Sequence, residues 1–113
     1  MLNQLVIVGR IVRDPEVKEL DNGKKVSNIT LAVARSYKNE NGEYDTDFIN
    51  CTLWGGIAEN TANYCKKGDM VGLKGRLQTR IDENENKLEI VAEKLTFLTK
   101  AKEKEVEKLE EER

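Results

Sequence analysis

A chain of 113 residues, 38% hydrophobic and 35% charged, is sized for one domain with a single modest core. No apolar run approaches the roughly 20 residues that span a bilayer, and the start MLNQLVIVGRIV lacks the basic stretch and small-residue cleavage site of a signal peptide, so a cytoplasmic protein without a membrane partner is expected. The net charge of −2 hides a division: residues 100–113 hold five cations and six carboxylates, leaving 14 and 15 in residues 1–99, so nucleic-acid binding needs clustered cations rather than a basic whole.

The first element, LNQLVIVGRIV, is a β-rich run broken at Gly9, where a strand can bend or bulge. Leu5 and Ile7 point to one face and Val6 and Val8 to the other, so the strand is expected to be covered by its own core and by another subunit. Pro15 marks the exit. Asn22-Gly23 signals a type I′ hairpin, which needs positive φ at both central positions. KKVSNITLAVARSY then alternates, with Ile29, Leu31 and Val33 toward a core, and Asn41-Gly42 signals a second hairpin.

The next strand, DFINCTLW, carries the sharpest signal. Alternate side chains point to opposite faces. Ile49, Cys51 and Leu53 form an ordinary core face, whereas Phe48, Asn50, Thr52 and Trp54 place two large rings on the side that ought to be wet.

After Gly55-Gly56 the period becomes helical: Ala58, Ala62 and Cys65 share one spacing, Ile57, Thr61 and Tyr64 another. Lys66 and Lys67 suit a last helical turn and Gly68 the position just past it. DMVGLKGRLQTR follows as a strand with Val71, Leu73 and Leu77 inward. Its other face shows Gly72, Lys74, Arg76, Gln78 and Arg80, three cations with no carboxylate among them. DENENK is a turn, and KLEIVAEKLTFL is the last strand, with Leu88, Ile90, Leu95 and Phe97 expected inward.

Three strands, a helix and two more strands, linked by hairpins, fit an all-β fold with one helix: a five-stranded OB-fold Greek-key barrel. Residues 1–99 form that domain and residues 100–113 a charged, flexible C-terminal tail.

Chemistry is constrained by what is missing. Without histidine, the commonest general acid/base and the usual activator of Ser or Cys nucleophiles are gone. Cys51 and Cys65 have no close cysteine partner, so buried thiols are expected rather than a zinc site. Asp45 and Asp47 make a carboxylate pair without the further ligands of a metal nuclease. No enzyme activity, metal or cofactor is expected. Cations along a groove beside aromatic platforms are what single-stranded nucleic acid requires: phosphates are neutralised and unstacked bases regain stacking. The candidate residues are Tyr37, Phe48 and Trp54 as platforms, with Arg35, Lys38, Lys74, Arg76 and Arg80 as cations.

The segments LNQLVIVGRIVRDPEVK, NITLAVARSY, DFINCTLWG and ENTANYCKKGDMVGLKGRLQTR together resemble the bacterial single-stranded DNA-binding protein family, over about residues 2–98. The resemblance implies an OB-fold assembled as a homotetramer, a dimer being the other arrangement. It implies binding of single-stranded DNA with little sequence preference in replication, recombination and repair. It places Tyr37, Phe48 and Trp54 at base-stacking positions and matches Arg80, Lys66 and Lys67 to phosphate-contacting cations. The alternative is an OB-fold protein-interaction module of primosome-accessory type. The family often has a cation after the aromatic that Trp54 matches, but Gly55-Gly56 stands here. It usually has an aromatic on a longer hairpin after the strand, but IDENENK stands here. The family's acidic tip ending in Pro-Phe, which recruits replication and repair proteins, is not matched by KLEEER; either the chain is truncated or it recruits partners poorly or differently.

Overall fold

The computed structural model describes residues 1–101; residues 102–113, most of the expected tail, lie outside the described residues. The strands are β1 (Leu5–Ile11), β2 (Lys18–Glu19), β3 (Lys25–Lys38), β4 (Tyr44–Trp54), β5 (Met70–Asp82) and β6 (Glu85–Thr99), with one helix, α1 (Gly55–Tyr64), between β4 and β5. The five long strands match the expected set, and the two-residue β2 is an addition that pairs with the start of β3. The sheet order is β1-β5-β6-β4-β3-β2, and β1 also pairs with β3 at Arg10↔Ala32 and Ile11↔Leu31. That second pairing closes five strands into the OB barrel.

Closure requires close backbone approach where β1 changes partners. There a Cβ at Gly9 would lie 2.7 Å from the Ala32 carbonyl oxygen of β3; a second close approach, between β5 and β6, is at Gly75, where a Cβ would run into the Val91 carbonyl oxygen. Gly75 adjoins a register shift: Lys74 faces Lys94 but Gly75 faces Ala92, so Glu93 is the extra residue of a bulge. Inside the barrel, Ile11, Leu31, Leu53, Val71 and Leu73 are completely buried with Cys51 and Ile29. Ala58, Thr61 and Cys65 are the buried residues on the helix and at its end. Burial pushes the Cys51 thiol up to about 11 and raises that of Cys65, so both are poor nucleophiles.

Several local expectations need correction. Neither Asn22-Gly23 nor Asn41-Gly42 makes a type I′ turn, because only the glycine of each has positive φ (84° and 78°). Each closes by a Gly N–H to the carbonyl three residues back, Leu20 and Asn39, which is a three-residue loop with glycine at the bulge position. The type I′ geometry occurs instead between β5 and β6, where Glu83 (φ 52°) and Asn84 (φ 67°) hold both central positions without a glycine. Lys66 and Lys67 lie beyond the helix. Cys65 is its extended C-cap, and Gly68 (φ 89°) belongs to the following turn, held by the Lys66 carbonyl and the Asp69 N–H at 3.0 Å. The buried Asp69 carboxylate accepts from Lys66 N–H at 2.8 Å and Ala101 N–H at 3.0 Å, pinning the helix exit and the end of β6 together.

Leu77 and Leu88 are not packed inside. They occupy the core side of their strands, but the β5–β6 ladder runs to Asp82↔Glu85, past the last layer of core, so Leu88 is 71% exposed and Leu77 also exposed. Phe97 is likewise exposed although it pairs with buried Val71: it lies near the end of β6, beside a second register shift, in a groove with Ile57 and Tyr64 of α1. Ile90 and Leu95 pack on the core as expected.

Gly56 contrasts with Gly75. Its φ is not positive and a Cβ there would meet nothing within 4 Å. Glycine costs roughly 0.5–1 kcal/mol against alanine inside a helix. Gly56→Ala should therefore raise the melting temperature by a few degrees, whereas Gly75→Ala, which pushes two strands apart, should destabilise by about 2 kcal/mol or more. Two thermal melts of equal midpoint would contradict this account of the β5–β6 approach at Gly75.

Candidate nucleic-acid interface

On β4 the alternation is realised: Cys51 and Leu53 are buried, and Phe48 and Trp54 are 42% and 38% exposed. Six residues at about 3.3 Å each separate the two rings by roughly 20 Å along the strand. Between them lie polar rungs shared with β3. Asn50 faces Thr30 and Thr52 faces Asn28, with Thr30 Oγ1 donating to Asn50 Oδ1 at 2.8 Å and Thr52 Oγ1 to Asn28 Oδ1 at 3.3 Å. These bonds pair the polar groups of the rungs with one another through short side chains.

The cations of β5 share this face. In a sheet, directly opposed residues lie on the same side. Thr52 pairs with Val91 of β6, and Val91 pairs with Arg76 of β5. At about 4.8 Å per strand, Arg76 is two strands, or roughly 10 Å, from the line of the aromatic rings. Lys74, Gln78 and Arg80 continue the same side of β5.

The stripe is not uncompensated, because β6 supplies the carboxylates that β5 lacks. Arg76 Nη1 is 3.7 Å from Glu93 Oε2, and Arg80 Nε is 3.8 Å from Glu89 Oε2. Arg35 is paired more tightly still: its Nε and Nη2 donate to both oxygens of Asp47 at 3.0 and 2.9 Å, and Asp45 lies 3.8 Å away. Asp45 and Asp47 are thus the counter-charges of an arginine. The hydrogen bond from Arg35 holds the Asp47 carboxyl below its usual range, and the same bond raises the Arg35 guanidinium. Lys38 Nζ stands 5.8 Å from the centre of the Tyr44 ring, so at the β3–β4 tip a cation and a ring pair with each other beside exposed Tyr37.

Lys66 and Lys67 lie apart from β5, on the turn after α1, where Lys67 N–H donates to Asp14 at 2.8 Å. Three residues escaped the reading of the sequence. Tyr44 adds an exposed ring at the hairpin tip. Arg13 Nη2 reaches Thr30 Oγ1 at 3.4 Å, which brings a guanidinium onto the rungs between Phe48 and Trp54. Lys24 lines a cleft beside Trp54. Neither cation follows strand periodicity, since Arg13 and Lys24 sit in loops and reach the face only through folding.

Comparison with known proteins places these features in context. The sequence profile of the single-strand binding protein family matches residues 2–98. The chain is 47% identical over 103 residues to single-stranded DNA-binding protein B of Bacillus subtilis (strain 168), covering 87% of this chain and 91% of that protein. It is 50% identical over 103 residues to the single-stranded DNA-binding protein of Halalkalibacterium halodurans and 48% identical to single-stranded DNA-binding protein A of Bacillus subtilis. It spans 61% and 60% of the length of those two.

The Arg35–Asp47 pair carries a pH signature. Because the Asp47 value is depressed in the folded state, its stabilising contribution is complete above the unfolded carboxylate range and is lost as pH falls through the folded value. Arg35→Met should raise the Asp47 carboxyl back toward the ordinary carboxylate value, read by carboxyl-carbon NMR titration. A titration that does not move would show that the guanidinium is not the cause.

Proposed function

The chain belongs to the single-strand binding protein family, and we propose that it binds single-stranded DNA along the outer face of β4, β6 and β5 with little sequence preference. The observation that carries this reading is the line from Phe48 to Trp54: two exposed rings on a strand whose other face is core, with cations two strands away on the same side. Rings offer stacking to any base, and Lys74, Arg76, Arg80 and Arg13 offer neutralisation to any phosphate, so neither contact reads sequence. Tyr37 with Lys38 extends the path along the β3–β4 hairpin. Lys66 and Lys67 contribute long-range attraction from the turn after α1.

The reading is of binding without catalysis: Asp45 and Asp47, the carboxylate pair on β4, are committed to Arg35 and to Asn39, whose Nδ2 donates to Asp45 at 3.0 Å. We place the protein in the cytoplasm, on exposed DNA strands of replication, recombination and repair. Residues 1–99 act as the binding domain and residues 100–113 as an appended charged tail. Val6 and Val8, exposed on the outer side of β1, support assembly of copies through that strand into a tetramer or dimer.

Base stacking contributes about 1–3 kcal/mol per base. Trp54→Ala should weaken oligo(dT) binding by roughly tenfold or more, with little change in melting temperature. In the wild type, oligo(dT) should quench the single tryptophan strongly. A Trp54→Ala protein that binds normally would remove the ring from the path. The cross-strand carboxylates make a converse case: phosphate must displace Glu89 from Arg80. Glu89→Gln should tighten oligo(dT) binding and steepen the slope of log K against log salt by up to about 0.7. Tightening that persists in an Arg80→Met background would show general repulsion instead of competition for that cation.

A further inference from the structure

Most glycines near the binding face have a structural reason, and Gly56 does not. Gly55 takes φ 58°, which an L side chain adopts at a cost. Gly9 and Gly75 leave no room for a Cβ. At Gly56 the backbone is ordinary and the space above it is open, in the first turn of a helix where almost any other residue would suit better. What the missing side chain leaves clear is one wall of a cleft of about 620 Å³. Gly23, Lys24 and Lys25 line one side of it and Trp54, Gly56 and Glu59 the other.

The register explains why these residues meet. Val26 pairs with Trp54, so the residues before Val26 continue alongside those that follow Trp54. Within the cleft the charges are unequal in availability. Lys25 Nζ is hydrogen-bonded to Glu59, which raises the Lys25 ammonium and occupies the cleft's one carboxylate. The Lys24 side chain has no ion pair among the described residues. The cleft therefore combines a half-exposed indole, an available ammonium and bare backbone.

We infer that this cleft is a phosphodiester subsite at the Trp54 end of the track, with the phosphate on the Lys24 ammonium and Gly56 kept bare so that the strand can approach the helix backbone. The subsite continues the proposed DNA path, on which it rests: a base on the indole places its phosphate within one nucleotide of Trp54, where the cleft opens. A glycine that lowers helix stability while clearing a wall beside an aromatic platform has the form of a close-approach residue.

The test uses the full chain with fluorescently labelled oligo(dT), followed by anisotropy at several salt concentrations, together with thermal melts of each variant. Gly56→Leu should melt at or above the wild-type temperature yet bind about tenfold more weakly, the scale of one charge-assisted hydrogen bond lost. Lys24→Gln, on the surface and safe for folding, should weaken binding and reduce the salt slope by about 0.7. Wild-type binding matched within twofold by both variants, with unchanged slope, would overturn the subsite while leaving single-stranded DNA binding intact. A wild-type protein that fails to bind oligo(dT) at low salt would overturn the DNA-binding reading, and the subsite with it.

Discussion

Closure of the barrel through β1 is the constraint on which everything else depends. β1 runs beside β5 for Leu5–Arg10 and then pairs with β3 at Arg10 and Ile11, with the backbones meeting closely at Gly9. An open sheet of five twisted strands would leave two edges and no enclosed interior. Once closed, every strand has an inside and an outside, and the period of two becomes a sorting rule. Leu53 and Trp54 are adjacent in the chain; one is completely buried and the other sits on the outer face. The outward row of rings on β4 is therefore a consequence of closure, and the register of the neighbouring strands aligns Thr52, Val91 and Arg76 across β4, β6 and β5.

The electrostatics of the outer face follow from strand pairing more than from composition. A chain with nearly equal cations and carboxylates cannot attract a polyanion by net charge. Here the cations gather on β5 and their counter-charges on β6, so each arginine is held by a carboxylate across the ladder at 3.7–3.8 Å. An exposed pair such as Arg76–Glu93 contributes little to stability, whereas the Glu89 side chain that faces Arg80 is largely buried. A phosphate that displaced the carboxylate would inherit an arginine already placed on that face. Arg35, with two bonds to Asp47, is the most firmly held and the least available of these cations.

Much of this was legible in the residues. Alternation in DFINCTLW separates Cys51 and Leu53 from Phe48 and Trp54 without reference to any other strand, and the structure keeps that division. Periodicity names a face, however, and not the depth of core beneath it. Leu77 and Leu88 lie on the core side of a hairpin that outruns the core, so the correct face is nevertheless a wet one. Turn chemistry misled for a related reason: Asn22-Gly23 and Asn41-Gly42 supply a left-handed glycine, which two loop geometries can use. The Glu83-Asn84 turn shows that strand register can impose positive φ on residues that do not favour it. Arg13 and Lys24 were silent because the contacts that define them, with Thr30 and around Trp54, join distant parts of the chain.

Where the strand of DNA runs is the central claim, and photo-crosslinking addresses it most directly. Bromodeoxyuridine-substituted oligo(dT) would be irradiated on the protein and the modified peptides located by mass spectrometry. The account predicts adducts at Phe48 and Trp54, with Tyr37 or Tyr44 on longer oligonucleotides. Adducts confined to the outer side of β1 at Val6 and Val8, or to the far arm of the β5–β6 hairpin at Ile81 and Leu88, would contradict it.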